Sequence, residues 1–285
     1  MIKFVKRKSM QIRESFRSSD YITPSFDFGC LAECSYCYLK RHKPKGVDVA
    51  KNYEDILNAV IKHHSNLGNK IPNQTHKDYW TYDIGCNHDV ALHWKYQPYP
   101  YIFDTFTLHG IFPTFATKFV NKKLLEYQAN NNVRIRFSLM PQEYSTLLEP
   151  NTSLIIDRIK AINTFKERGW DVHVNFSPVI VVPGALELYE NLFKMLSEIV
   201  EDKYKPEVKA EVIFLTHNKE KHQYNLENNL PGEDLIWNPE IQRVKKSQYG
   251  GVNLRYEPNL KKQLITEFTQ SLKAFAPWCE IRYIF

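Results

Sequence analysis

No run of eighteen apolar residues occurs in this 285-residue chain, so no segment of it reads as a membrane-spanning helix. The opening MIKFVKRKSM lacks the apolar core of a secretory signal, which points to the cytoplasm. Cysteine is scarce: there are five, an odd number, and after the first C-x2-C pair no second follows. A reducing compartment disfavours structural disulfides, so these thiols read as ligands or reactive groups. Internal repeats and low-complexity tracts are also missing. What is present suffices for a large core: 43% of the residues are apolar and aromatics are plentiful, most simply as one α/β domain.

The net charge is +6, concentrated at KFVKRK, KRHKPK, RVKK and Lys261/Lys262. Such clusters suit phosphate contacts, although scattered lysines are as readily a solvated surface. From residue 24 short apolar runs alternate with amphipathic ones. SFDFG precedes a helix over 53–66, YWTYDIG one over about 94–109, and FPTFATK one over 120–129. VRIRFSL precedes a helix over 154–168, with Thr152 or Ser153 as its N-cap and Gly169 as its stop. DVHVNFSPVIV precedes a helix over 185–200, and KAEVIFL follows it. This alternation predicts a mainly parallel sheet wrapped by helices, and six units suit an incomplete barrel. Residues 217–241 read as a long polar surface segment. Beyond it, Tyr249-Gly250-Gly251 reads as a hairpin turn, followed by a helix over about 258–275 and a final strand.

The stretch FDFGCLAECSYCYLK, Phe26 to Lys40, places Cys30, Cys34 and Cys37 within eight residues at C-x3-C-x2-C spacing. Thiolates on one short loop converge on a single metal centre. Zinc with His42 as fourth ligand is the simpler reading, but structural zinc usually joins two ligand pairs from separate segments. Three thiolates with one vacant position suit a 4Fe-4S cluster better, because the fourth iron can bind a substrate or cofactor.

With an aromatic before the third cysteine, this motif resembles the radical S-adenosylmethionine superfamily. The resemblance implies a partial (β/α)6 barrel, a 4Fe-4S cluster, and S-adenosyl-L-methionine bound to the open iron as the source of a 5′-deoxyadenosyl radical. The longer string YITPSFDFGCLAECSYCYLK looks like the spore photoproduct lyase family, which reverses a thymine dimer in ultraviolet-damaged DNA. YDIGCNHD, FATKF, VRIRFSL, LEPNTSLIIDRIKAI, VNFSPVIVVPG and QYGGVNLRY fall in the family's order from about Tyr21 onward. Only some twenty residues precede the match, where the family has a longer extension.

The resemblance implies three parts: a short basic segment 1–22, a radical barrel over 23–216, and a C-terminal extension 217–285 carrying the hairpin and packed on the same domain. It assigns hydrogen donation to Cys86 and radical relay to Tyr36 and Tyr38. Lys118, Ser138, Asp89 and Tyr38 fall at positions near the cofactor, and Tyr249 at the lesion. Damaged DNA with its dinucleotide flipped out is the implied partner, with a flavodoxin or ferredoxin as reductant and a monomeric enzyme. Departures cluster on the substrate side: Gln248 for an arginine, Asn253 for a lysine, His88 for a serine and Met140 for an asparagine. A related radical enzyme acting on another modified base, and a zinc-stabilised nucleic-acid-binding module, are the competing readings. Cys279 reads as packing beneath the last strand.

Overall fold

A computed structural model describes residues 1–39, 43, 46–246 and 251–285. Its strands are β1 (Ile2–Val5), β2 (Arg13–Glu14), β3 (Tyr21–Ile22), β4 (Asp27–Phe28), β5 (Val47–Ala50), β6 (Thr81–Asp83) and β7 (Phe112–Thr117). They continue with β8 (Arg134–Leu139), β9 (Asp171–Val179), β10 (Ala210–Phe214), β11 (Thr216–His217), β12 (Gln242–Lys246), β13 (Val252–Tyr256) and β14 (Ile281–Ile284). The main sheet has eight strands in the order β14-β10-β9-β8-β7-β6-β3-β2. From β3 to β10 neighbouring strands run parallel, giving the six expected units of a partial barrel. At one edge β14 adds in parallel to β10, and at the other β2 pairs antiparallel with β3.

Strand β8 shows how the sequence makes a barrel with a polar lumen. All six of its residues are buried, yet Arg134, Arg136 and Ser138 alternate with Ile135, Phe137 and Leu139. Side chains two apart share a face, so the apolar set meets the covering helices and the polar set looks inward. Arg136 donates to Asp83 Oδ2 at 2.6 Å and to Glu211 Oε2 at 3.0 Å, tying β8 to β6 and β10. Ser138 stands one step nearer the open end, in register with Asn175. Outside the sheet, Ile155–Glu167 buries Ile155, Ile159, Ile162 and Phe165. Helix Pro258–Phe275 starts on a proline, with Glu257 Oε2 accepting from the Asn259 and Leu260 amides, and sets Phe268 among Phe176, Tyr189 and Phe193.

Several boundaries differ from the sequence reading. Pro98 splits the expected 94–109 helix into a 3₁₀ turn, Trp94–Tyr96, and the helix Tyr99–Leu108. The expected helix at 120–129 is only the 3₁₀ turn Lys122–Glu126. Neither Thr152 nor Ser153 caps the helix that follows: Gln142 Oε1 accepts the Ile155 amide at 2.8 Å, while Ser153 Oγ accepts that of Val120. SFDFG is not the first barrel strand, because β4 joins β5 and β1 in a separate three-stranded sheet. That role belongs to β3. The segment 217–241 is not a surface tract either; it forms β11 and the helices Lys219–Glu227 and Glu233–Ile236, and buries His217, Lys221, Asn225 and Glu233. β12 and β13 pair antiparallel as expected, and the turn between them, with Gln248, Tyr249 and Gly250, lies outside the described residues. Among the described residues no helix is long and apolar enough to cross a membrane.

Candidate active site

The cysteine loop leaves β4 through Gly29, whose φ of +107° and close approach to the Gly46 carbonyl exclude any Cβ. Its amide donates to the Asn87 carbonyl at 3.0 Å, joining the loop to the segment that carries Cys86. Further anchors come from distant elements. The Ser35 amide donates to the Leu148 carbonyl and its Oγ to that of Pro231, and Asn225 Nδ2 donates to the Ser35 carbonyl at 2.9 Å. Lys221 Nζ caps the Tyr36 carbonyl at 3.1 Å.

Burial pushes the Cys30 thiol up to about 12 and that of Cys34 well above its ordinary value, with neighbouring thiols and Asp89 or Glu149 adding to the shift. Thiols in so dry a setting keep their protons unless a metal takes the charge, which fits a resident metal cluster and not free nucleophiles. His42, the fourth ligand of the zinc reading, lies outside the described residues.

At the open end of the barrel a cavity of about 810 Å³ is lined by Tyr36, Cys37, Tyr38, Cys86, Lys118 and Ser138 among others. Six of the expected site residues thus line one cavity. Asp89 stands behind it: its carboxylate accepts from Thr117 Oγ1 at 2.7 Å and from the amides of Lys118 and Leu92, fixing the end of β7. A cavity of about 910 Å³ at the other end of the barrel holds none of the cysteines, and Arg134 and Asp171 there are paired with each other at 2.6 Å.

The two tyrosines sit in different surroundings. Tyr36 donates its phenolic proton to Glu149 Oε1, and Glu149 Oε2 accepts from fully buried Arg158 at 2.8 Å. Lys118 Nζ lies 3.8 Å from the same carboxylate, which outweighs burial and raises the lysine's pKa. Tyr38 donates instead to the Cys86 carbonyl at 2.8 Å and to Asn87 Oδ1 at 2.5 Å. Burial and Glu149 hold the Tyr36 phenol well above its ordinary pKa; the Tyr38 hydroxyl, turned inward toward Cys86 although the residue keeps 40% of its exposure, is raised as well. The Cys86 thiol is raised to about 11, chiefly by burial, although Arg13 Nη2 approaches its sulfur at 3.9 Å. It is therefore an S–H at neutral pH, the form able to give up a hydrogen atom.

Sequence reasoning missed five contributors. Arg13 comes from the two-residue strand β2, too short for any pattern. Asn87 follows Cys86 directly and had that neighbour as a signal. Glu149 and Arg158 lie within LEPNTSLIIDRIKAI, and only their burial together reveals them. Asn175 lines the cavity with an Oδ1 that is buried and has no partner among the described residues, as an acceptor kept for a ligand would be. Of the departures, His88 points away from the cavity, bonded to Tyr99 at 2.8 Å and stacked on His93. Met140 is wholly buried, and Asn253 lines the cavity from the hairpin. Cys279 is buried as expected.

The family model for spore photoproduct lyase matches residues 2–285, so the likeness begins well before Tyr21. Among curated proteins, spore photoproduct lyase of Bacillus subtilis (strain 168) is 25% identical over 97% of this chain and 80% of its own length. That of Clostridium acetobutylicum is also 25% identical, over 98% and 80%. A solved structure of spore photoproduct lyase complexed with dinucleoside spore photoproduct superposes with a TM-score of 0.88 at 20% identity, covering 100% of this chain and 82% of that one. A mutant of that enzyme with bound AdoMet and the same dinucleoside also gives 0.88, at 19% identity and the same coverage. Matched almost from end to end in sequence and in fold, the chain belongs to the spore photoproduct lyase family.

Proposed function

We propose that this protein is a radical S-adenosylmethionine enzyme that repairs the spore photoproduct of DNA, with Cys86 as its hydrogen donor. Cys30, Cys34 and Cys37 would hold a 4Fe-4S cluster, leaving one iron for S-adenosylmethionine. When bound, the pair supplies a 5′-deoxyadenosyl radical that can take hydrogen from the saturated thymine. Lys118, Ser138 and Asn175 face the space beyond Cys37, where the charged and hydroxyl-bearing parts of that cofactor need partners. A flavodoxin or ferredoxin is the reductant this reading calls for.

The observation that carries the proposal is a single cavity lined by Cys37, Tyr38 and Cys86. A substrate lodged there would share that cavity with the radical source and with an S–H donor. Once Cys86 has given up its hydrogen atom, Tyr38, whose hydroxyl bonds the Cys86 carbonyl, would restore it, with the hydrogen returned in turn through Tyr36 from 5′-deoxyadenosine, and Tyr36 has in Glu149 a base ready for its proton. Two tyrosines with such different acceptors suit a directed relay. The dinucleotide must leave the stack to enter, at about a few kcal/mol, least where damage has already weakened pairing.

The test is DNA irradiated dry and incubated with reduced protein and S-adenosylmethionine. Recovery of thymine is expected. Vigorous cofactor cleavage without thymine would favour a different modified base, a reading to which Asn253 on the cavity wall lends support.

A further inference from the structure

Outside the cavity, three side chains from separate parts of the C-terminal segment converge on one point. His217 leaves β11, His222 the helix Lys219–Glu227 and Glu233 the helix Glu233–Ile236. His217 Nε2 and His222 Nδ1 lie 2.8 and 2.5 Å from the same oxygen, Glu233 Oε1, and the three ligand atoms fall within 4.8 Å of one another.

Two further layers hold this arrangement. The Trp237 ring stacks on His222 at 3.8 Å and meets His217 edge-on at 5.7 Å, so both imidazole planes are fixed. Asn225 Nδ2 donates to Glu233 Oε2 and to the Ser35 carbonyl, orienting the carboxylate and linking it to the cysteine loop. Ligating carboxylates are oriented by such outer bonds. His217 is fully buried, whereas the His222 side chain keeps 23% of its exposure, leaving that side open to a water.

We propose that His217, His222 and Glu233 form a zinc site, completed by a water, that fastens the C-terminal segment beneath the cysteine loop. Two imidazoles, one carboxylate and a water are a donor set zinc takes readily in tetrahedral geometry. Both histidines ligate as neutral rings. On binding, each ring proton shifts to the nitrogen turned away from the ion, on His217 the buried Nδ1 that has no partner among the described residues.

The full chain, reconstituted anaerobically and dialysed, is analysed for zinc, iron and sulfide together. One zinc per chain is expected beside the iron, retained in the Cys30→Ala/Cys34→Ala/Cys37→Ala variant and lost in His222→Ala and Glu233→Gln, whose affinity falls at least tenfold. Cobalt added to this triple variant should give visible d–d bands without thiolate charge transfer, and zinc should raise the thermal midpoint of the wild type and not of Glu233→Gln. Absence of retained zinc from the wild type, equal retention in His222→Ala, or no d–d bands from cobalt in the triple variant would overturn the proposal. Zinc without iron or sulfide would instead sink the radical chemistry and leave this site standing.

Discussion

Cys86 owes its proposed role to burial: an exposed thiol beside a guanidinium would tend toward thiolate, which has no hydrogen atom to give. Replacing Arg13 by alanine removes a nearby cation and should raise the Cys86 pKa above its present value of about 11, read as slower alkylation of the Cys86 peptide by iodoacetamide at pH 9. Unchanged kinetics would show that the 3.9 Å approach is incidental. In Cys86→Ala, 5′-deoxyadenosine formation should stay within about twofold of wild type while clean thymine gives way to misquenched products; wild-type thymine yield would reduce the residue to packing. Glu149 pairs with Arg158 and, in the proposed relay, would take the Tyr36 proton. Glu149→Gln leaves Arg158 buried without a counterion and should cost about 3–5 kcal/mol in urea unfolding. That Tyr36, Tyr38 and Cys86 come together at one cavity was legible because each stands in a short recognisable string. The roles of Glu149 and Asn175 were not, since the first lies 113 positions from Tyr36 and the second is marked only by an unpartnered oxygen.

Among elements, the hairpin of β12 and β13 reaches the cavity mouth through Gly251 and Asn253 and leaves Lys245 and Lys246 exposed. Lysines that neutralise phosphates release counterions, so each phosphate left without its lysine flattens the salt dependence of binding by about 0.7–0.9 in the log–log slope. Lys245→Ala/Lys246→Ala should therefore weaken binding of DNA at low salt and flatten the slope by about 1.4–1.8, with cofactor cleavage unaffected. An unaltered slope would assign the hairpin to shape alone. Strands and long helices were readable from periodicity, and Pro258 and Gly169 mark ends that the structure keeps. The segment 217–241 was misread because polar composition was taken for exposure. His217, Asn225 and Glu233 are buried by bonding to one another, and hydropathy does not register a polar group satisfied by another polar group.

For the whole molecule, a polar barrel lumen is stoppered below the cavity by Arg136 with Asp83 and Glu211, which leaves the open end for the proposed chemistry. The same buried polarity sets the response to acid. Burial lowers His88 to about 4 and drives His173 down as well, so both rings stay neutral in the folded chain. An unfolded histidine takes up a proton near pH 6.5, hence stability should fall as pH drops from about 6.5 toward about 4, by about 1.4 kcal/mol per pH unit for each ring. Urea midpoints in His88→Gln should show a correspondingly flatter slope; the wild-type slope would mean that His88 titrates normally. Family membership makes the chain an enzyme of the radical lyase type and removes the reading of a zinc-held binding module. In the proposed function that chemistry rests on the trio Cys30, Cys34 and Cys37. The most direct measurement is iron, acid-labile sulfide and 5′-deoxyadenosine in the anaerobically reconstituted, reduced protein given S-adenosylmethionine. About four irons and four sulfides per chain with sustained deoxyadenosine, all lost in Cys34→Ala, are predicted. A colourless protein without sulfide that leaves the cofactor intact would contradict the account.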